Sequence, residues 1–161
     1  MGLDAFVYCN CYEKGRLLEP PPTGVSLQVQ PDGSLGRERD DGTLESDIAW
    51  DTWREQRACE HSGGILLHHR LGNIALIGLL RAELQREAGL FPILATKVVY
   101  SGSHGGDHLA VETIPALQRE LELLGEFRCS TREAASFMSE FRAQMSELAT
   151  SALSIGKPIA F

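Results

Sequence analysis

The sequence is short of basic charge. Fifteen Lys and Arg stand against twenty-two Asp and Glu, a net charge of −7, which argues against a nucleic-acid binder, since such a protein needs a basic footprint to displace phosphate counterions. It is also short of long apolar runs. The stretch 74–80 is bounded by Arg70 and Arg81 and falls far below the length of a membrane span. The opening Met1-Gly2-Leu3-Asp4-Ala5-Phe6 has an acid where a signal peptide wants basic charge. It has Phe6 where a myristoylation signal wants Ser or Thr. The expectation is a soluble, cytoplasmic chain. No Gly-Lys-Ser phosphate loop is present. Ser103 is not the nucleophile of a G-x-S-x-G elbow, because position 101 is Ser. No internal repeat is found.

What is present is an ordinary globular composition, 43% hydrophobic and 23% charged over 161 residues, which suits a single domain over 1–161. Alternation of Leu3, Ala5, Val7 and Cys9 predicts a strand over 3–9. A stiff loop over 13–24 holds Pro20-Pro21-Pro22. A strand over 25–30 turns at Pro31-Asp32-Gly33-Ser34 into a short hairpin return, and 31–46 reads as an acidic hairpin and loop insertion. A helix is expected over 47–59 with Ser46 as N-cap, then a strand over 65–69 and a helix over 73–88. The stretch 91–100 is ambiguous and is assigned helix. Thr113 should cap a helix over 114–124, and Ser130 or Thr131 a long one over 132–154. Residues 158–161 should dock as an edge strand. The sum is an α+β fold, a small sheet of three to four strands with four to five helices.

The residues that carry chemistry are cysteines and histidines. In a reducing compartment, metal binding or burial is weighed before disulfides. In a straight strand Cys9 and Cys11 would lie roughly 6.5 Å apart, whereas two thiolates on one zinc approach to roughly 3.8 Å. The pair can therefore chelate only if the strand ends or bulges at Asn10. The plainer reading is two small core residues. Cys59 and His61 fall at an expected helix C-terminus, where the dipole should raise a thiol pKa and speak against an activated nucleophile; alone, His61 reads as a cation completing that helix. If the first strand pairs antiparallel with the one beginning at 65, Cys9, Cys11, Cys59 and His61 meet as a Cys3His set of zinc type. His68 and His69 point to opposite faces, and His69 reads as a hydrogen-bonded core residue.

The loop 101–108 holds three glycines. Ser101, Ser103, His104 and Asp107 are candidate ligand-binding residues there, although a structured turn explains the loop equally. His104 and His108 do not make an i, i+4 zinc pair, since Gly105 and Gly106 would cost a helix about 2 kcal/mol. Acids concentrate between 38 and 51, where Glu38, Asp40, Asp41, Glu45, Asp47 and Asp51 face only Arg39. With Trp50 and Trp53 three residues apart, Asp40, Asp41 and Glu45 sketch a surface for a basic protein partner; a solvated flank and a core-facing tryptophan pair are the plainer readings. Phe137, Met138, Phe141, Met145, Leu148 and Ala152 form one helical stripe, which reads as core, with a homodimer seam as the minority alternative.

The segment from Gly2-Leu3-Asp4 through Val7-Tyr8-Cys9-Asn10-Cys11-Tyr12-Glu13-Lys14-Gly15, with Cys59-Glu60-His61, His68-His69-Arg70-Leu71-Gly72-Asn73, Tyr100-Ser101-Gly102 and Gly156-Lys157-Pro158-Ile159, resembles a group of small bacterial proteins to which no activity is attached. The resemblance spans most of the chain and implies bacterial origin and a shared small domain, with no residue role. Two functions are therefore expected to compete. One is a ligand- or metal-binding domain, with zinc stapling the fold or activating water. The other is an acidic protein-binding module of the immunity-protein type.

Overall fold

Residues 2–38, 43–102 and 105–161 are described by a computed structural model of the chain. The first strand, β1 (Gly2–Tyr8), alternates as expected: Leu3, Ala5 and Val7 are buried, while Asp4, Phe6 and Tyr8 on the other face are half-buried. Next come a small hairpin of β2 (Leu27–Val29) and β3 (Leu35–Arg37), then α1 (Leu44–Gln56), β4 (Ile65–Asn73) and α2 (Ile74–Gln85). A π-helical turn (Leu94–Val98), β5 (His108–Leu109), α3 (Ile114–Leu124), α4 (Arg132–Ile155) and β6 (Ile159–Ala160) complete the chain. The main sheet is antiparallel, in the order β4-β1-β6-β5, and β2-β3 forms a second sheet. This is an α+β fold.

Register along β1 and β4 runs from Gly2 opposite Asn73 to Tyr8 opposite Ile65, so the end of the first strand lies beside the start of the fourth. That is the pairing the Cys/His hypothesis needs. Helices α2 and α4 lie on the face that carries Leu3, Ala5 and Val7. Met138, Phe141, Met145, Leu148 and Ala152 of α4 fill this main core with Ile77, Leu80 and Leu84 of α2, and Phe137 packs partly buried at its margin. The stripe on α4 thus faces the molecule's own interior. A smaller, separate core gathers Trp50, Trp53 and Ala58 with Leu17, Val25, Leu27 and Leu35.

Several expectations are corrected. Helix α1 starts three residues earlier than expected: Thr43, not Ser46, is the N-cap, its hydroxyl accepting from Ser46 N–H at 3.2 Å. The Ser46 hydroxyl accepts from Arg37 instead. The helix also ends at Gln56, where the Arg57 and Ala58 N–H groups both turn back to the Trp53 carbonyl, so Cys59 and His61 belong to the following loop. Strand β4 runs on to Asn73, whose side chain caps α2 through Leu76 N–H at 2.9 Å. The 91–100 stretch is helical as assigned, but only over 92–98 and in π geometry from Leu94 to Val98, held where the buried Glu120 carboxylate accepts from Ile93 and Leu94 N–H at 2.8 and 2.9 Å. Thr113 precedes α3 without capping it. Thr131 caps α4 because the Ser130 hydroxyl is bound to the Glu83 carboxylate. β6 is not an edge strand. Ile159 and Ala160 are buried, and apolar side chains at the end of the chain take a place between β1 and β5. His69 is hydrogen-bonded, to Glu147 at 2.7 Å, but half-buried rather than core.

Candidate metal centre

The chain leaves β1 through one more ladder bond, Cys9 N–H to the Gly64 carbonyl at 2.8 Å. It then curls at once. Lys14 N–H bonds the Asn10 carbonyl and Arg16 N–H the Cys11 carbonyl, at 3.0 and 2.7 Å. Asn10 is fixed on both sides, donating to the Ile155 carbonyl and accepting from Arg16. The strand therefore ends at the residue between the two cysteines, the condition under which thiols two apart can converge.

The second pair arrives from the loop after α1. Leu18 N–H bonds the Ala58 carbonyl at 2.9 Å, which positions Cys59. His61 opens a tight 3-10 turn, Ser62–Gly64, that feeds β4. Gly63 and Gly64 both adopt positive φ, 60° and 73°, a geometry that favours glycine. The Ser62 hydroxyl donates to Glu55 of α1 at 3.0 Å, tying the turn to the helix. These glycines shape the turn between His61 and β4.

The four donor atoms lie within 4.8 Å of one another. Cys9 Sγ is 3.7 Å from Cys59 Sγ, and His61 Nδ1 is 3.5 Å from Cys11 Sγ and 4.0 Å from Cys59 Sγ. Tetrahedral zinc with Zn–S near 2.3 Å and Zn–N near 2.0 Å has S–S edges of roughly 3.8 Å and S–N edges of roughly 3.5 Å. The edges match. Among the described residues this is the one Cys/His/carboxylate group of metal-binding size. Cys11 is buried, and Cys9, Cys59 and His61 are half-buried.

Electrostatics follow from that burial. Desolvation, then the Cys9 hydrogen bond and the neighbouring thiols, push the Cys11 pKa up to about 12. Burial is also the main reason the Cys59 thiol is raised. The expected helix-dipole cause does not apply, since Cys59 stands three residues beyond α1. Beside the cluster is a small, partly open recess of about 20 Å³, lined by Cys9, Cys11 and Cys59 with Tyr8, Leu17 and Ala58. It has room for about one water, not for a substrate. Buried Lys157 closes one side, paired with Glu13 and donating to the Gly33 carbonyl at 3.0 Å. No sequence signal singled out Lys157 or Glu13, because their partners are remote in the chain.

The other candidates do not join this centre. Asp107 accepts from the Tyr100 hydroxyl, and its backbone carbonyl accepts from Phe161 N–H at 2.9 Å, so this loop belongs to the β5–β6 side of the sheet. Ser101 is half-buried in the same loop, while Ser103 and His104 lie outside the described residues. Trp50 and Trp53 are 5% and 4% exposed, with rings 5.4 Å apart in the small core. They are core residues and not anchors presented to a partner. Glu45 is exposed in the first turn of α1, and Asp40 and Asp41 lie outside the described residues. No helix among the described residues is long and apolar enough to cross a membrane.

No family model, curated protein or solved structure matches the chain, so the functional argument rests on the chemistry of the site itself.

Proposed function

We propose that the protein is a zinc-binding domain in which Cys9, Cys11, Cys59 and His61 hold one zinc ion as a structural staple. The observation that carries this reading is the gathering of four donor atoms within 4.8 Å, with one S–S separation of 3.7 Å and one S–N separation of 3.5 Å close to the edges of a zinc tetrahedron. Three thiolates and an imidazole are the soft donor set that selects zinc over oxygen-seeking cations. All four positions are filled by side chains. No position is left for an activated water, which favours the stapling role over the hydrolytic one. Three reduced thiols at this spacing suit a reducing compartment such as the cytoplasm.

The staple joins two parts of the fold. Cys9 and Cys11 extend from the central strand of the main sheet, and Cys59 and His61 follow the helix that carries Trp50 and Trp53. Zinc bound there would clamp the small core onto the large one. The test is metal analysis of purified protein, followed by cobalt(II) substitution. About one zinc per chain, and the visible absorption of tetrahedral thiolate-bound cobalt, are expected. Protein free of metal that also fails to take up cobalt would overturn the reading.

A further inference from the structure

The four ligands are not equivalent. Cys9 and Cys59 are half-buried with their sulfurs in contact at 3.7 Å, whereas Cys11 is 2% exposed and faces His61 Nδ1 at 3.5 Å. A small, partly open recess of about 20 Å³ borders the sulfur side of the cluster, a size that suits a molecule on the scale of water or hydrogen peroxide better than a bulky one. We propose that the centre is redox-regulated: hydrogen peroxide joins Cys9 to Cys59 in a disulfide and thereby releases the zinc. This rests on the zinc reading above.

The chemistry balances in two steps. One thiolate sulfur of the pair attacks a peroxide oxygen, the O–O bond breaks, and a sulfenic acid forms while the departing hydroxide takes a proton to become water. The second thiolate attacks the sulfenic sulfur, the S–O bond breaks, and the hydroxide leaves as a second water. Two electrons pass from the two sulfurs to the peroxide, and two protons come from solvent. The sulfurs must close from 3.7 Å to about 2.05 Å. Neither side is free to drift away, since Cys9 is pinned to Gly64 and the Cys59 loop to Leu18. What remains for zinc is Cys11 and His61, two donors where a structural site needs four. The oxidant's size is part of the proposal. A bulky disulfide such as oxidised glutathione fits the recess beside the sulfurs poorly.

The experiment uses the zinc-loaded full chain. Hydrogen peroxide or oxidised glutathione is added at equal concentration, zinc release is followed with a chromophoric chelator, and peptides are mapped by mass spectrometry. Peroxide is expected to release about one zinc per chain, at least about tenfold faster than oxidised glutathione, with a Cys9–Cys59 linked peptide. Dithiothreitol with added zinc should restore the site. Cys129→Ser should behave as the unaltered protein, since Cys129 lies outside the cluster. Zinc retained under peroxide, release with a different linkage or only sulfinic acids, or glutathione acting as fast, would each overturn the inference while leaving the zinc reading intact. A chain that never held zinc would overturn that reading instead.

Discussion

Burial sets the terms on which each residue of the cluster could bind metal. With its pKa pushed up to about 12 by desolvation and by neighbouring thiols, Cys11 is protonated at neutral pH when no metal is present, and burial holds Cys59 up in the same direction. Zinc bound there would have to displace protons, and acidification would oppose it. Zinc affinity should fall by at least about tenfold per pH unit between pH 8 and 6.5, measured by competition with a chromophoric chelator. A pH-independent affinity would contradict thiolate ligation. Cys11→Ser should lose the zinc and Cys129→Ser keep it, by metal analysis. Away from the centre, Glu83 is buried at the foot of α4, accepting from Ser130 and Arg86, and the Ser130 hydrogen bond chiefly holds its pKa below the ordinary 4.5. A depressed carboxylate stabilises the fold above its ordinary pKa, and that contribution is lost as pH falls through the folded value. Glu83→Gln should cost about 2 kcal/mol at pH 7 in denaturant titration, and the gap to the unaltered protein should narrow below pH 4.5.

Among elements, α1 and the β2-β3 hairpin are the ones that the proposed zinc would support most. Their core is small: Trp50, Trp53 and Ala58 with a few half-buried aliphatics, distinct from the core under the main sheet. So few apolar side chains stabilise little by themselves, and the loops flanking this core carry all four ligands. Both tryptophans of the chain are here, which makes the element observable. Chelation of zinc should shift tryptophan emission to longer wavelength while far-UV circular dichroism keeps most of its helical signal, because α2, α3 and α4 belong to the other core. Loss of both signals together would mean that the staple supports the entire fold rather than one part.

For the molecule as a whole, stability lies in the core between the sheet and α4. Phe141 is fully buried there, among the residues that β1, α2 and α4 share. Phe141→Ala removes that side chain and leaves a cavity, with an expected cost of about 3–5 kcal/mol, seen as a lower unfolding midpoint by both circular dichroism and tryptophan emission. In the fraction that remains folded, zinc content should be unchanged. That outcome separates the two supports, since loss of the metal spares the main core and a hole in the main core undermines both.

Much of this was legible in the residue pattern. Period-two alternation in β1, the helical stripe on α4 and the Pro-Asp-Gly-Ser turn depend on neighbours in the chain, and local preference plus burial of an apolar face is enough to specify them. The start of α1 is not fixed locally, because Thr43 and Ser46 are both competent caps and the Ser46 hydroxyl is taken by Arg37 of β3. Ile159 and Ala160 could be seen to favour a strand, but their place inside the sheet depends on β1 and β5, contributed from far away in the chain. The metal centre divides in the same way. Ligand types and their two-residue spacings are properties of the sequence; their meeting required β1 to pair with β4, the chain to curl at Asn10, and a turn with two left-handed glycines between His61 and β4. Short-range chemistry determined which side chains could bind a metal, and long-range pairing decided that they meet at one point.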